Sequence, residues 1–304
     1  MNKKNVAIIA GICTAVVAVI VTVICIAGSK KDPFKGLPVQ GIAAGAYHTS
    51  VLYDDGTVLT IGGQDALLAD ESAQWTDAAA IAAGDNFTAV LLDNGFVQTT
   101  SAFQGNTTFW RNIVEIAAGT NHVVGLCDDG RVLAAGDGQH TEKYAVESWT
   151  DIVAVAAGDK YTAGLQADGT VVIAGQLSAD VSGWKNITAI AGGYSHLVGL
   201  DKNGKVFVAG GANSDYINVN WKGVKAIAAG KELTVAIKEN GKVLAAGADN
   251  GGRIAVDGWS DCIAVSCGLY HTVGVTTNST LLSTTITTDD PNISKGQDAV
   301  DTLQ

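Results

Sequence analysis

Positive charge is scarce in this chain of 304 residues: 19 Lys and Arg stand against 30 Asp and Glu, a net charge of -11. Phosphate recognition needs a basic face, so nucleic acid is excluded as a partner. Cysteine is scarce too. Cys13 and Cys25 fall in an apolar run, leaving Cys127, Cys262 and Cys267, an odd number that builds no disulfide framework. Proline occurs only three times, and after Lys30 no stretch carries a helical hydrophobic period. No staple is needed at this length, because a domain of roughly 250 residues buries about 70% of its unfolded surface.

One long apolar run is present. Val6 to Gly28, "VAIIAGICTAVVAVIVTVICIAG", holds no charge. At about 1.5 Å per residue it crosses a hydrocarbon core of roughly 30 Å. The apolar region of a cleavable signal peptide is shorter, about 7–15 residues. A transmembrane signal anchor is therefore expected, with cleavage near Ala27–Gly28 as the alternative. Lys3 and Lys4 precede it in a very short tail, which places the tail inside and the large domain outside the cell. The expected division is a tail over 1–5, the anchor over 6–28, a linker over 29–33, a folded domain over 34–285 and a flexible tail over 286–304.

The folded part repeats itself. Words like "IAAG" end on Gly45, Gly84, Gly119, Gly158, Gly193, Gly230 and Gly268. Eleven residues past each anchor stands Gly56, Gly95, Gly130, Gly169, Gly204 or Gly241, with Ser279 in the seventh unit. Seventeen past it stands Gly62, Gly136, Gly175, Gly210 or Gly247, with Ser101 and Thr285 as exceptions. Nine before an anchor stand Trp75, Trp110, Trp149, Trp184, Trp221 and Trp259, all six tryptophans of the chain. Such fixed offsets define a structural repeat, with all length variation in one loop.

Each unit reads as short strands. The segment before the anchor has Ile or Val three residues back and usually Val or Ile six back, which by strand alternation puts apolar groups on both faces. A second strand follows, then Asp-Gly or Asn-Gly, the signature of a tight hairpin, then a third strand. The expected fold is all-β: a seven-bladed β-propeller behind an N-terminal transmembrane helix, since ring stacking buries both faces of a blade and removes sheet edges. A straight solenoid with capping units is the alternative. Closure is expected from Phe34–Gln40 joining the blade built from Cys262 to Thr285. The tryptophans are expected to pack blade against blade.

"HTVGV", "DDGTVLTIGG" and "WTDIVAVAAGDKYTAGLQADGTVVIAG" resemble the repeats of RCC1-type propellers over about Val39 to Thr285. The compact units are more similar to the bacterial secreted and surface members, such as the β-lactamase-inhibitory propeller, than to the nuclear exchange factor. The exchange factor's wedge and the "NxxGQLG" loop of eukaryotic repeats are absent. The resemblance implies a fold more than a function.

Chemistry is sparse. His48, His122, His196 and His271 share one repeat position with Phe87, Tyr161 and Leu233, so packing explains them without a metal. Asp-Gly pairs lack the carboxylate run of a calcium loop. No helix follows the glycines to make a phosphate site. No nucleophile, base and orienting group recur together, so no catalytic residue, metal or cofactor is assigned. Cys262 and Cys267 replace small buried residues, and Cys127 is expected to be partly exposed. What varies is the loop face after each anchor. Tyr47, Asn86, Asn121, Lys160, Tyr194, Glu232 and Tyr270 are the candidate binding residues there. A monomeric, membrane-anchored module that binds a protein or glycan is expected. The alternatives are an enzyme with a pocket at the propeller axis, or an inhibitor of a secreted enzyme.

Overall fold

A computed structural model describes residues 38–62, 67–211, 219–248 and 254–284. The expected anchor, 6–28, and the tail, 286–304, lie outside the described residues. Among those described, no helix is long and apolar enough to cross a membrane.

The described chain forms seven antiparallel sheets of three strands, each sheet in sequence order. Blade 4 is typical: an inner strand Ile152–Ala157, a middle strand Tyr161–Gln166 and an outer strand Val171–Gly175. The hairpin between middle and outer strands turns at Asp-Gly or Asn-Gly, where Gly169 has a φ of 82° that a side chain would strain. The middle strands are buried on both faces, as in His48–Tyr53 and His122–Cys127. The core is accordingly divided into six clusters rather than one centre.

Every inner strand carries a bulge five residues before its anchor, so that Ile152 faces Gln166 but Ala154 faces Leu165. This corrects the reading of its two faces. With one residue looped out, the Val/Ile positions six and three before the anchor fall on the same face, not on opposite ones. In blade 1, Val39 and Ile42 share a face, while Gly41 and Ala43 lie on the other. One face of the inner strand is large and the other small.

Two rings of hydrogen bonds join the blades. At the anchor end, Ala46 N–H donates to the Asp85 carbonyl (3.1 Å), Asp85 to Thr120 (3.1 Å) and Thr120 to Gly158 (3.3 Å). Asp159 donates to Tyr194 (3.0 Å), Tyr194 to Gly230 (3.1 Å), Lys231 to Gly268 (3.4 Å) and Leu269 back to Gly45 (3.4 Å). All seven interfaces are bonded, so the ring is closed. At the hairpin end, the first residue of an inner strand donates to the preceding hairpin glycine at five interfaces, as Ala78 does to Gly56 and Cys262 to Gly241. Where Ser279 replaces that glycine, Val39 N–H reaches the serine hydroxyl instead (3.4 Å).

Closure therefore differs from the expected strap. Of Phe34–Gln40, the described part belongs to the first blade: Val39 pairs with Tyr53, and the Pro38 carbonyl accepts from Asp54. Residues 34–37 lie outside the description. Beside the backbone bond from Leu269 to Gly45, side chains hold the seventh blade to the first: Ser266 Oγ accepts from Ala44 N–H (3.0 Å), and His271 bonds Thr49 (2.8 Å). One further expectation changes. Cys127 is buried, because it ends a middle strand covered on both sides. The tryptophans pack between blades as expected, in clusters that hold residues of the preceding blade and of their own. Within their own blade Trp110, Trp149, Trp184 and Trp259 sit above Gly125, Gly164, Gly199 and Gly274 of the middle strand, where a β-carbon would touch the indole.

Candidate functional site

The anchors gather at one end of the axis, where they and the small residue before each line a cup of about 60 Å³. Because each anchor is followed by a tight turn, the next two residues diverge. The first faces the axis, and Asp85, Thr120, Tyr194, Lys231 and Leu269 line the cup. The second lies further out. Of the seven candidate binding residues, six hold this second position and only Tyr194 the first. Asn86 and Asn121 are exposed, and Tyr47, Lys160, Glu232 and Tyr270 are half-buried. Sequence reading noticed both residues of each pair but could not say which turned inward.

The inward set, backed by Tyr270 and Tyr47 of the second set, makes a charged aromatic mouth. The Lys231 ammonium lies 5.8 Å from the centre of the Tyr194 ring and 5.9 Å from that of Tyr270, within cation–π range. Tyr270 in turn stacks at a tilt on Tyr47, with centroids 5.0 Å apart. Burial first, and the Asp159 carboxylate second, push the Asp85 carboxyl up to about 6, while Lys231 pulls it back. The Tyr194 phenol is raised by burial, then by the charge of Asp159 and a hydrogen bond to it. Two carboxylates, one ammonium and three tyrosine rings thus converge from blades 1, 2, 4, 5, 6 and 7. None of the candidate loops contributed this. "QDALLADESAQ" is described only from Leu67, where it forms a helix, Leu67–Ser72. "QHTEKYAVES" coils into a short 3₁₀ turn, Thr141–Tyr144, that buries Lys143 beside Asp137 (3.9 Å). Most of "ANSDYINVN" lies outside the described residues.

The histidines stay out of the mouth. Each points its Nε2 at a threonine of the next blade: His48 to Thr88 (3.1 Å), His122 to Thr162 (3.1 Å), His196 to Thr234 (3.2 Å) and His271 to Thr49 (2.8 Å). Tyr161 keeps the same slot but donates its hydroxyl to the His196 carbonyl (2.5 Å). These are blade-to-blade pins. His48 and His271 come from adjoining blades and act on one another, and among the described residues no three ligands gather for a metal.

One carboxylate breaks the small face of the inner strands. Glu115 stands where the other blades have Gly41, Ala80, Ala154, Ala189, Ala226 and Ala264. Its Oε1 accepts the Val155 N–H of the next blade (3.2 Å), and burial pushes its carboxyl up to about 8. A raised acid keeps its proton in the native state while the unfolded chain ionises. Stability is then lost as pH rises from the ordinary glutamate range through 8. Glu115→Gln is expected to raise the melting temperature at pH 8 by about 3 °C and leave it unchanged at pH 4. Thermal melts at both values check this, and an equal shift at both would refute the assignment.

A family model for the regulator of chromosome condensation (RCC1) repeat matches residues 113–141, the third blade and the start of the loop after it. Among curated proteins no sequence matches. Solved structures do. The ectodomain of the receptor kinase CR4 from Physcomitrella patens is 16% identical, with a TM-score of 0.67 over 81% of this chain and 72% of that one. The CRINKLY WD40 ectodomain of the Arabidopsis thaliana receptor kinase ACR4 is 18% identical, with a TM-score of 0.62 over 82% of this chain and 97% of that one. Prp20p from Saccharomyces cerevisiae, whose binding to Gsp1p and histones is described with its structure, is 18% identical, with a TM-score of 0.61 over 87% of this chain and 86% of that one. At these identities the likeness is one of fold.

Proposed function

Starting from an RCC1-type repeat β-propeller, we propose that this chain is a protein-binding module that recognises its partner through the anchor-turn face. The observation that carries the reading is the mouth itself. Tyr194 lines the axial cup, and Tyr270 with Tyr47 stands just outside it, on a face whose backbone is fixed by a closed ring of hydrogen bonds. Tyrosine offers large contact area at low ordering cost, and a rigid scaffold loses little entropy on binding. Nothing in the mouth is arranged as nucleophile, base and orienting group, so binding accounts for it better than catalysis does.

The uncharged run Val6–Gly28 supports membrane attachment, with the propeller outside the cell. The first strand starts at the hairpin end, since Val39 pairs with Tyr53 beside the Asp-Gly turn. An anchor before residue 38 would then join the hairpin face, leaving the tyrosine face pointing away from the membrane.

The test is affinity capture with the full chain in detergent, tagged at its C terminus, against the triple variant Tyr47→Ala, Tyr194→Ala, Tyr270→Ala. The expected result is a protein partner held by the parent chain and lost by the variant, whose melting curve shows that it still folds. A partner held equally by both would move recognition to another surface and overturn the reading.

A further inference from the structure

We infer that the axial mouth is a socket for a cationic side chain, a lysine or arginine presented by the partner, with Lys231 as its resident occupant. This rests on the protein-binding reading and names the chemistry of what is recognised.

Three observations converge. The first is that the structure already holds a cation there. The Lys231 ammonium faces both the Tyr194 and Tyr270 rings, and Tyr270 is backed by Tyr47, so an aromatic wall is in place around a positive charge. Ring faces carry negative potential, and rings grouped about one point favour ammonium and guanidinium groups.

The second is that the charge in the mouth is not balanced by that lysine. Asp85 and Asp159 act on one another and on Tyr194, and Lys231 acts on Asp85, so all belong to one electrostatic group. Asp159 is shared with Lys143, on which it also acts, and no ion pair of Asp85, Asp159 or Lys231 closes to within 4.0 Å among the described residues, so neither carboxylate is neutralised by direct contact. The third is size. A cup of about 60 Å³ at the axis admits the head of a lysine or arginine side chain. The overall charge of -11 draws a basic partner toward the molecule.

Lys231 is then a competitor and not a ligand-binding group. Its removal uncovers both rings and removes a like charge, so cation binding should strengthen. An anion site would behave in the opposite way, because Lys231 would be the group that holds the anion.

The test is saturation-transfer NMR on the full chain in detergent micelles, with three blocked tripeptides as probes: Gly-Lys-Gly, Gly-Arg-Gly and Gly-Glu-Gly. The parent chain is expected to bind the lysine and arginine peptides and not the glutamate one. Lys231→Ala is expected to tighten cation binding about tenfold, and Lys231→Gln, which keeps most of the side chain, several-fold. Asp85→Asn with Asp159→Asn is expected to abolish it. Binding of the glutamate peptide, or weaker cation binding in both Lys231 variants, overturns the proposal. The capture experiment fails separately. A partner lost with the tyrosine variant but indifferent to Lys231→Ala would keep the binding face and discard the cation socket.

Discussion

Gly119→Ala is expected to lower the melting temperature of the propeller by about 10 °C, a loss of roughly 3 kcal/mol at the 2–4 °C per kcal/mol of a domain this size. The reason is space. A β-carbon at Gly119 would overlap the carbonyl oxygen of Gly158 and stand 2.5 Å from Cε1 of His122. Neither neighbour can retreat cheaply. The Gly158 carbonyl accepts the Thr120 N–H that joins blades 3 and 4, and His122 is pinned to Thr162. Each other anchor meets the same obstacle, the carbonyl oxygen of the next anchor round the ring, and Gly268 meets Gly45 to complete it. One methyl group therefore pushes on a closed circle that has no free end to absorb it. Gly183→Ala adds the same methyl at an exposed loop position with nothing within 4 Å, and should cost little or nothing. Thermal melts of the two variants make the comparison. A similar loss in both would mean that glycine's backbone freedom, and not the crowding at the axis, sets its place in the repeat.

That crowding also explains what could be read from the chain before the fold was known. Seven anchors at nearly equal spacing, with small residues before each, are the trace of seven strands meeting at one axis. The tryptophans were legible as blade-to-blade packing residues, but the glycine that four of them cover was not. The glycine six residues past the anchor, in Gly125, Gly164, Gly199 and Gly274, was the available signal, since a glycine in a buried strand marks a close approach. The bulge escaped notice because a looped-out residue leaves the spacing of Val and Ile intact while reversing the face they share. A weaker signal of it existed. Seven residues before the anchor stand Asp77, Asn112, Asp151, Asn186 and Asp261, all at positive φ, with Gly223 in blade 6. Asp, Asn and Gly are the residues that tolerate that backbone. The mouth was the least legible part. Its residues come from six blades, 35 to 74 positions apart, and only the ring places Asp85 and Asp159 with Tyr194, Lys231 and Tyr270.

The pins between blades make a second large prediction: the propeller should be acid-labile, with stability greatest near pH 7. Burial first of all holds His48 and His122 down to about 3 and His196 and His271 to about 4, against 6.5 in the open chain. These groups stay neutral when folded and take up protons on unfolding. Their share of the stability is complete above 6.5 and is lost as pH falls toward 4. Glu115 and Asp85 act in the opposite sense, since both keep protons in the native state that the unfolded chain gives up. Near pH 5.5 the four imidazoles outnumber the two carboxyls, so unfolding takes up about two protons and stability falls by about 2.7 kcal/mol per pH unit.

The chain supplies its own control for this prediction. Blades 2 and 3 meet without a histidine: Phe87 fills the slot, and Val123 stands where the histidine pairs have threonine, both in one apolar cluster. Copying that pair onto the next histidine interface, as His122→Phe with Thr162→Val, keeps the packing and removes one imidazole. Urea unfolding of this variant at pH 5 and pH 7 should show a pH slope reduced by about 1.4 kcal/mol per unit. His122→Phe alone should lose stability at pH 7, because the buried Thr162 hydroxyl then has no imidazole to bond. An unchanged slope in the double variant would show that His122 is protonated in the native state, and that acid acts on the ring through other groups.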